Sequence, residues 1–213
     1  MTFHTPYQDT SVNTIYNLLF CELDVFKATI AEPYSPPFDV LLSDASNVSE
    51  LQKIIDDHSG DPRVRMLAYN KQRVGGHNPE EKELLGVIVE VGLEEGLDVL
   101  ASFNNATARY LNHTGKLVVW ENTDDVRIND ITDSLFAHGR NIIGKIGPWT
   151  GQRKPNPPAG NTRITFLVSD GLYFGEATTE VLFSDRMAGP ALLSATHLLQ
   201  YLTDRSVGQN ANQ

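Results

Sequence analysis

Cysteine is almost missing from this chain. Cys21 is the one cysteine in 213 residues, so no intrachain disulfide can form, and a reducing compartment is the simplest setting. Long apolar runs are missing too: no stretch of about 18 apolar residues occurs, which argues against a membrane-spanning helix. The opening MTFHTPYQDTS has no basic-then-apolar order of a secretory signal, and a cytoplasmic location is expected. Basic residues are scarce in the first third. Residues 1–61 carry ten acids (Asp9, Glu22, Asp24, Glu32, Asp39, Asp44, Glu50, Asp56, Asp57, Asp61) against Lys27 and Lys53. With a net charge of −10, nucleic acid and anionic membranes are poor partners, because phosphate binding needs Lys and Arg. A solvated acidic face is the plain reading of that third.

Catalytic signatures are absent as well. There is no Gly-x-Ser-x-Gly elbow, Walker loop or dinucleotide fingerprint, so the common serine-hydrolase and nucleotide-binding classes are unsupported. Gly92, Gly96, Gly171 and Gly175 flank turns between strands, not the strand-to-helix step a phosphate cradle needs. Cys21 lies among apolar neighbours and reads as a small hydrophobe, not a nucleophile. No cofactor and no metal site is expected. Asp56, Asp57, His58 and Asp61 look at first like ligands, but the end of one helix and the cap of the next account for them.

What is present is a meander. Residues 84–121 read as four short strands separated by GLEEG, NNA and HTG turns, which select antiparallel hairpins. Leu85, Val87, Val89 and Val91 share one face by the period-two rule, and Gly86 marks a bulge or a close backbone approach. Before the meander, 15–21 reads as a strand followed by a turn or short helix, and 38–42 as a short buried segment. Helices are predicted at 46–58, capped by Asn47 or Ser49, and at about 62–74, capped by Asp61 with Pro62 in the first turn. After it come a long helix capped by Thr123 and ended by Gly147-Pro148, and a loop at 147–161. A hairpin turning at Asp170-Gly171, a third strand at 179–183 and a helix at about 188–204 follow. The chain thus divides into an acidic 1–83 segment packed on a main 84–204 unit, with 205–213 as a disordered tail.

The fold class is therefore α+β: an antiparallel sheet, four-stranded meander plus hairpin, packed with helices. In element order, 84–204 resembles the profilin-like and roadblock-like sandwiches. The phrases YNLLFCELD (16–24), ELLGVIVEV (83–91), GLDVLASF (96–103), RYLNHTGKLVVWE (109–121) and FLVSDGLYFGE (166–176) are similar to those of a family of uncharacterised bacterial proteins. That resemblance implies no activity and transfers no site residue.

Two places carry polar or aromatic residues that packing does not obviously use. One is the third strand of the meander, with Arg109 and His113 on one face and Asn112 on the other, although Asn112 also suits a turn with Thr114 and Gly115. The other is the 147–161 loop, where Trp149 beside Arg153 and Lys154 suits an anionic or aromatic ligand or a partner chain. A proline-stiffened connector explains the same loop. Tyr173 is placed to line the same groove. The first expectation is a non-enzymatic domain that binds a small molecule or a partner protein at Arg109, Asn112, His113, Trp149, Arg153 and Tyr173. The alternatives are a hydrolase-type enzyme gathered from Asp24, Arg109, His113 or Asp170, and a homo-oligomeric structural protein pairing through an edge strand. The two places are expected to meet in the fold.

Overall fold

A computed structural model describes residues 3–45 and 47–210, without the side chains of 206–210. Among the described residues it has eight helices and six strands: α1 (Thr10–Leu18), α2 (Leu23–Thr29), α3 (Phe38–Leu41), α4 (Val48–Asp56), α5 (Pro62–Val74), β1 (Leu84–Leu93), β2 (Gly96–Phe103), β3 (Ala108–Leu111), β4 (Leu117–Trp120), α6 (Val126–Ile143), β5 (Asn161–Val168), β6 (Gly171–Thr178), α7 (Thr179–Ser184) and α8 (Ala188–Asn210). The strands form one antiparallel sheet in the order β4-β3-β2-β1-β5-β6. The fold is α+β, with the meander and the hairpin joined through the β1–β5 pair. Among the described residues no helix is long and apolar enough to cross a membrane.

The sheet is buried on both faces. Val87, Val89, Leu100, Ile164 and Phe166 pack with Ile128 and Leu135 of α6 and Leu192 and Leu198 of α8. Leu85, Ile88, Val99, Ala101 and Phe103 pack on the other side with Tyr16 of α1, Leu51 of α4 and Leu67 of α5. Helices therefore cover both faces, and each fully buried aliphatic or aromatic side chain contributes about 1.5–3 kcal/mol. Leu85 does not share a face with Val87 and Val89, contrary to simple alternation. Leu84 and Gly86 oppose the adjacent residues Val168 and Leu167, so Leu85 is the extra residue of a bulge and the pleat changes phase there. Gly86 also allows a close approach, since a Cβ on it would lie 3.0 Å from Leu167 Cδ1.

The region expected to be a strand is helical. Asp9 caps α1 by accepting from the amides of Ser11 and Val12, and Tyr16, Leu19 and Phe20 point into the core at helical spacing. Cys21 takes φ 54°, which turns the chain out of α1 and into α2. Residues before α1 are tied down by two buried asparagines. The Asn13 side chain exchanges hydrogen bonds with the backbone of Tyr7 (2.9 and 2.8 Å), and Asn17 does so with that of His4 (3.1 and 2.7 Å).

Three further boundaries differ from expectation. Asp125, not Thr123, caps α6 by accepting from Arg127 and Ile128 N–H, and Gly144 ends the helix three residues before Gly147-Pro148. Residues 179–184 form α7, not a strand; it buries Leu182 and leaves Val181 and Phe183 exposed. Helix α8 runs past 204 to Asn210, and residues 211–213 lie outside the described residues. The helices α4 and α5 follow the expected caps, Asn47 and Asp61, with Pro62 in the first turn of α5; Ser46, the expected first residue of α4, lies outside the described residues.

The loop between α6 and β5 is pinned along its length. Trp149 N–H donates to Leu172 O at 2.7 Å, Gly160 N–H donates to Gly92 O at 2.9 Å, and Arg163 reaches the carbonyls of Lys154 and Pro155. The approach at Gly92 is tight: a Cβ there would sit 2.2 Å from the Pro158 carbonyl oxygen and 2.6 Å from that of Pro157. Gly92→Ala should therefore lower the unfolding free energy by ~1–3 kcal/mol through overpacking. Gly147→Ala, where nothing lies within 4 Å, should stay within about 0.5 kcal/mol of wild type. Urea unfolding of both variants makes the comparison, and equal midpoints would mean that the loop is not clamped at Gly92.

Candidate functional site: a cavity under the N-terminal helices

The N-terminal helices do not close completely on the sheet. A cavity of about 340 Å³ remains between α1, α2, α3, α5 and the outer strands β3 and β4. Ile15, Leu18, Leu19, Phe26, Phe38, Val64 and Leu117 make its apolar wall, and Asp61, Arg63 and Arg109 are its charged residues. That size falls at the small end of ligand pockets, which run from about 300 to 1,000 Å³, and the mixture of apolar wall and a few polar groups is typical of them. A second hollow, between β1, β2 and α8, is about 60 Å³ and has room for no more than a few water molecules.

The charged end is built from helix capping. Asp61 accepts from Arg63 N–H at 2.8 Å as the cap of α5, and the same carboxylate takes Arg63 Nε at 3.0 Å and Nη2 at 2.6 Å. The guanidinium also lies 5.4 Å from the centre of the Phe103 ring. Its orientation is thus set by one aspartate and one aromatic face. Burial works against the Arg63 charge, but the Asp61 carboxylate outweighs it and the pKa is held up. Arg109 comes from β3. Its Nη1 donates to Ala108 O at 2.8 Å and Trp120 O at 3.3 Å, and its Nη2 is paired with Glu121. Burial lowers the Arg109 pKa, and the neighbouring Arg63 charge lowers it further, against the opposing pull of Glu121. Two arginines therefore share one corner. The Arg109 side chain is 9% exposed, whereas its partner Glu121 is 56% exposed.

A second polar cluster lies under the same helices, and it is filled. Glu90 on central β1 is fully buried. Tyr16 OH donates to its Oε1 at 2.6 Å, and Arg163 Nη1 stands 3.5 Å from Oε2. Arg163 is held more closely by Glu176, at 2.9 and 2.7 Å. Arg153 completes the cluster, donating to Asn17 Oδ1 at 2.6 Å and to Glu22 Oε1 at 3.2 Å, with its guanidinium 4.0 Å from the Phe20 ring centre. Burial raises the Glu90 carboxyl above its ordinary value, against the opposing pull of Arg163, the Tyr16 hydrogen bond and Arg153.

No family model matches this chain, and no curated protein matches it in sequence. The geometry alone therefore carries the assignment.

The six residues singled out from sequence fall in separate places. Arg109 lines the cavity. Strand β3 ends at Leu111, so Asn112 and His113 lie in the following turn, where Asn112 Oδ1 accepts from the amides of Thr114 and Lys116. His113 N–H donates to Asp98 Oδ1 at 2.6 Å, and Tyr110 OH holds the other oxygen of that carboxylate at 2.8 Å. Trp149 is 42% exposed and meets Phe174 edge-on, with the Lys154 ammonium 5.5 Å from its ring. Arg153 turns inward as described. Tyr173 is buried and donates to Asp170 Oδ2 at 2.8 Å.

The expected meeting of the third strand with the 147–161 loop is not formed at Trp149. Trp149 bridges to β6, and β2, β1 and β5 lie between β6 and β3. Among the described residues no hydrogen bond or ion pair joins any two of Asp24, Arg109, His113 and Asp170; the last three have partners of their own. Sequence reading missed Arg63, Glu121, Glu90, Arg163 and Tyr16. Arg63 was findable, since it follows the cap Asp61 by two residues. Glu90 and Arg163 required the register, which sets them directly opposite each other.

The raised carboxyl has a consequence for stability. A Glu whose folded pKa lies above its unfolded value of about 4.3 contributes stability that is present at low pH and lost as pH rises through the folded value. Wild type should accordingly lose stability relative to Glu90→Gln, which stands in for the protonated acid, from pH 4 to pH 8, as measured by urea unfolding across that range. A wild type that gains stability relative to Glu90→Gln as pH rises would mean that pairing with Arg163 outweighs burial.

Proposed function

We propose that this chain is a non-enzymatic binding domain, and that its ligand is a small, largely apolar molecule held in the cavity beneath α1, α2, α3 and α5. The observation that carries this reading is the cavity itself: seven apolar side chains line a volume of about 340 Å³ in a protein whose central strands are covered on both faces. Filling such a wall removes apolar surface from water at about 25 cal/mol per Å². The walls come from short elements, α2 of seven residues and α3 of four. Helices of that length are not stable alone, so small shifts to admit or release a ligand cost little there. A cytoplasmic setting belongs to the same reading, supported by the single, buried cysteine.

Octanol near its solubility limit is expected to raise the melting temperature of the wild-type protein. Leu18→Trp, which places an indole in the cavity, should abolish the shift. A ligand at about 100 times its Kd stabilises by about 2.7 kcal/mol, well within the range of a thermal-shift measurement. No shift in the wild type, or an equal shift in Leu18→Trp, would remove the cavity as the site.

A further inference from the structure

The charged corner of the cavity points to the class of ligand and to a residue that competes with it; the inference rests on the cavity being the binding site. Arg63 and Arg109 differ in how they are satisfied. Arg63 is locked by a bidentate contact to Asp61, which is itself fixed as the cap of α5. Arg109 is paired through Nη2 with Glu121, one residue beyond the end of β4, on a side chain that is more than half exposed. The Arg63 charge is thus neutralised by the cap of its own helix, at side chains 27% and 35% exposed. The more buried Arg109 is neutralised by a carboxylate reaching in from the rim.

We infer that the cavity takes an amphipathic monocarboxylate, whose acid group replaces Glu121 on Arg109 while its apolar body lies against Ile15, Leu18, Phe26 and Phe38. Charge balance selects the class. With Asp61 and Glu121 in place the corner holds two cations and two anions and is neutral. Once Glu121 swings into solvent it carries one net positive charge, which a single carboxylate restores. A guanidinium offers a carboxylate paired N–H donors in a fixed plane. A dianion would leave one charge uncompensated beside a buried apolar wall, which is costly. Glu121 needs only side-chain rotation to leave, and water is already at hand to solvate it. Its carboxylate therefore acts as an internal placeholder that the ligand must displace, and it lowers the apparent affinity while keeping Arg109 paired in the empty protein.

The test is a matched pair, octanoate and octanol, titrated by calorimetry into the full chain at neutral pH. Octanoate is expected to bind at least about tenfold more tightly than octanol, a ratio in keeping with a charge-assisted contact. Glu121→Gln should tighten octanoate several-fold and leave octanol unchanged, because only the charged head competes with the placeholder. Arg109→Met should bring octanoate down to the octanol level. Where Arg109→Met does not fold, Glu121→Gln decides alone, since residue 121 lies at the rim. Equal binding of the two probes, with no response to Glu121→Gln, would overturn the carboxylate assignment and leave the cavity as a neutral-ligand site. Binding of neither probe would overturn the cavity reading and this inference with it.

Discussion

A carboxylate at the centre of the sheet is the constraint on which the rest of this structure turns. Glu90 sits in β1, between β2 and β5, with no exposed surface. A buried acid is tolerated only when its oxygens are partnered. Here the partners come from two distant parts of the chain, Tyr16 from α1 and Arg163 from the opposite position in β5, and Glu176 on β6 holds that arginine in turn. Arg153 joins the same cluster from the long loop and ties it to Asn17 and Glu22. The first helix, the loop and the hairpin are thus located by one polar row running across β1, β5 and β6. Arg153 of the loop is used for this purpose, so Lys154 and not Arg153 stands beside Trp149.

The N-terminal face buries charge in two ways, and the contrast separates scaffold from the proposed site. Around Glu90 the groups bond one another in a packed interior, with aromatic rings stacked over the guanidinium of Arg153. Around Arg63 and Arg109 the same kinds of group border an open volume, and one pairing is made by a side chain that remains largely in water. A closed network of the first sort holds a fold together. An open corner of the second sort keeps donors oriented at low reorganisation cost, as recognition requires.

The sheet was legible in the sequence because its strands alternate and its turns carry Gly and Asn; the four meander strands and the hairpin lie where period two puts them. The same rule placed Leu85 on the wrong face, since a bulge at Leu84–Gly86 shifts the phase and nothing in local alternation announces it. The α1 region was misread for a different reason. Its run from Ile15 to Phe20 is nearly continuous in apolar residues, broken by a buried asparagine, Asn17, whose polarity hides the helical stripe. The candidate site was legible only in part. Arg109 stood out as a charge in a strand, but its relation to Arg63 arises only where the fold brings the start of α5 and β3 to one cavity, which no local pattern contains. Asp61 was read correctly as a cap, and its second role, steering the Arg63 guanidinium, is a property of the tertiary structure.

The two halves of the chain are accordingly suited to different tasks. The face toward α6 and α8 is covered by long helices, of 18 and 23 residues, packed against each other. The other face is covered by five helices, three of them of nine residues or fewer along the cavity wall, joined through Cys21 in a left-handed conformation. Short helices owe their stability to tertiary contacts, and local opening is least costly where such contacts are few. Incomplete closure therefore falls on the side built from short pieces, and the polar row around Glu90 limits how far it can spread. With Tyr16 and Asn17 bonded into that row, α1 is held to the sheet, and Glu22 ties the start of α2 to the same row. The cavity lies beside that anchor, walled by α1, α2 and α3 and closed at its charged corner by Arg63 and Arg109.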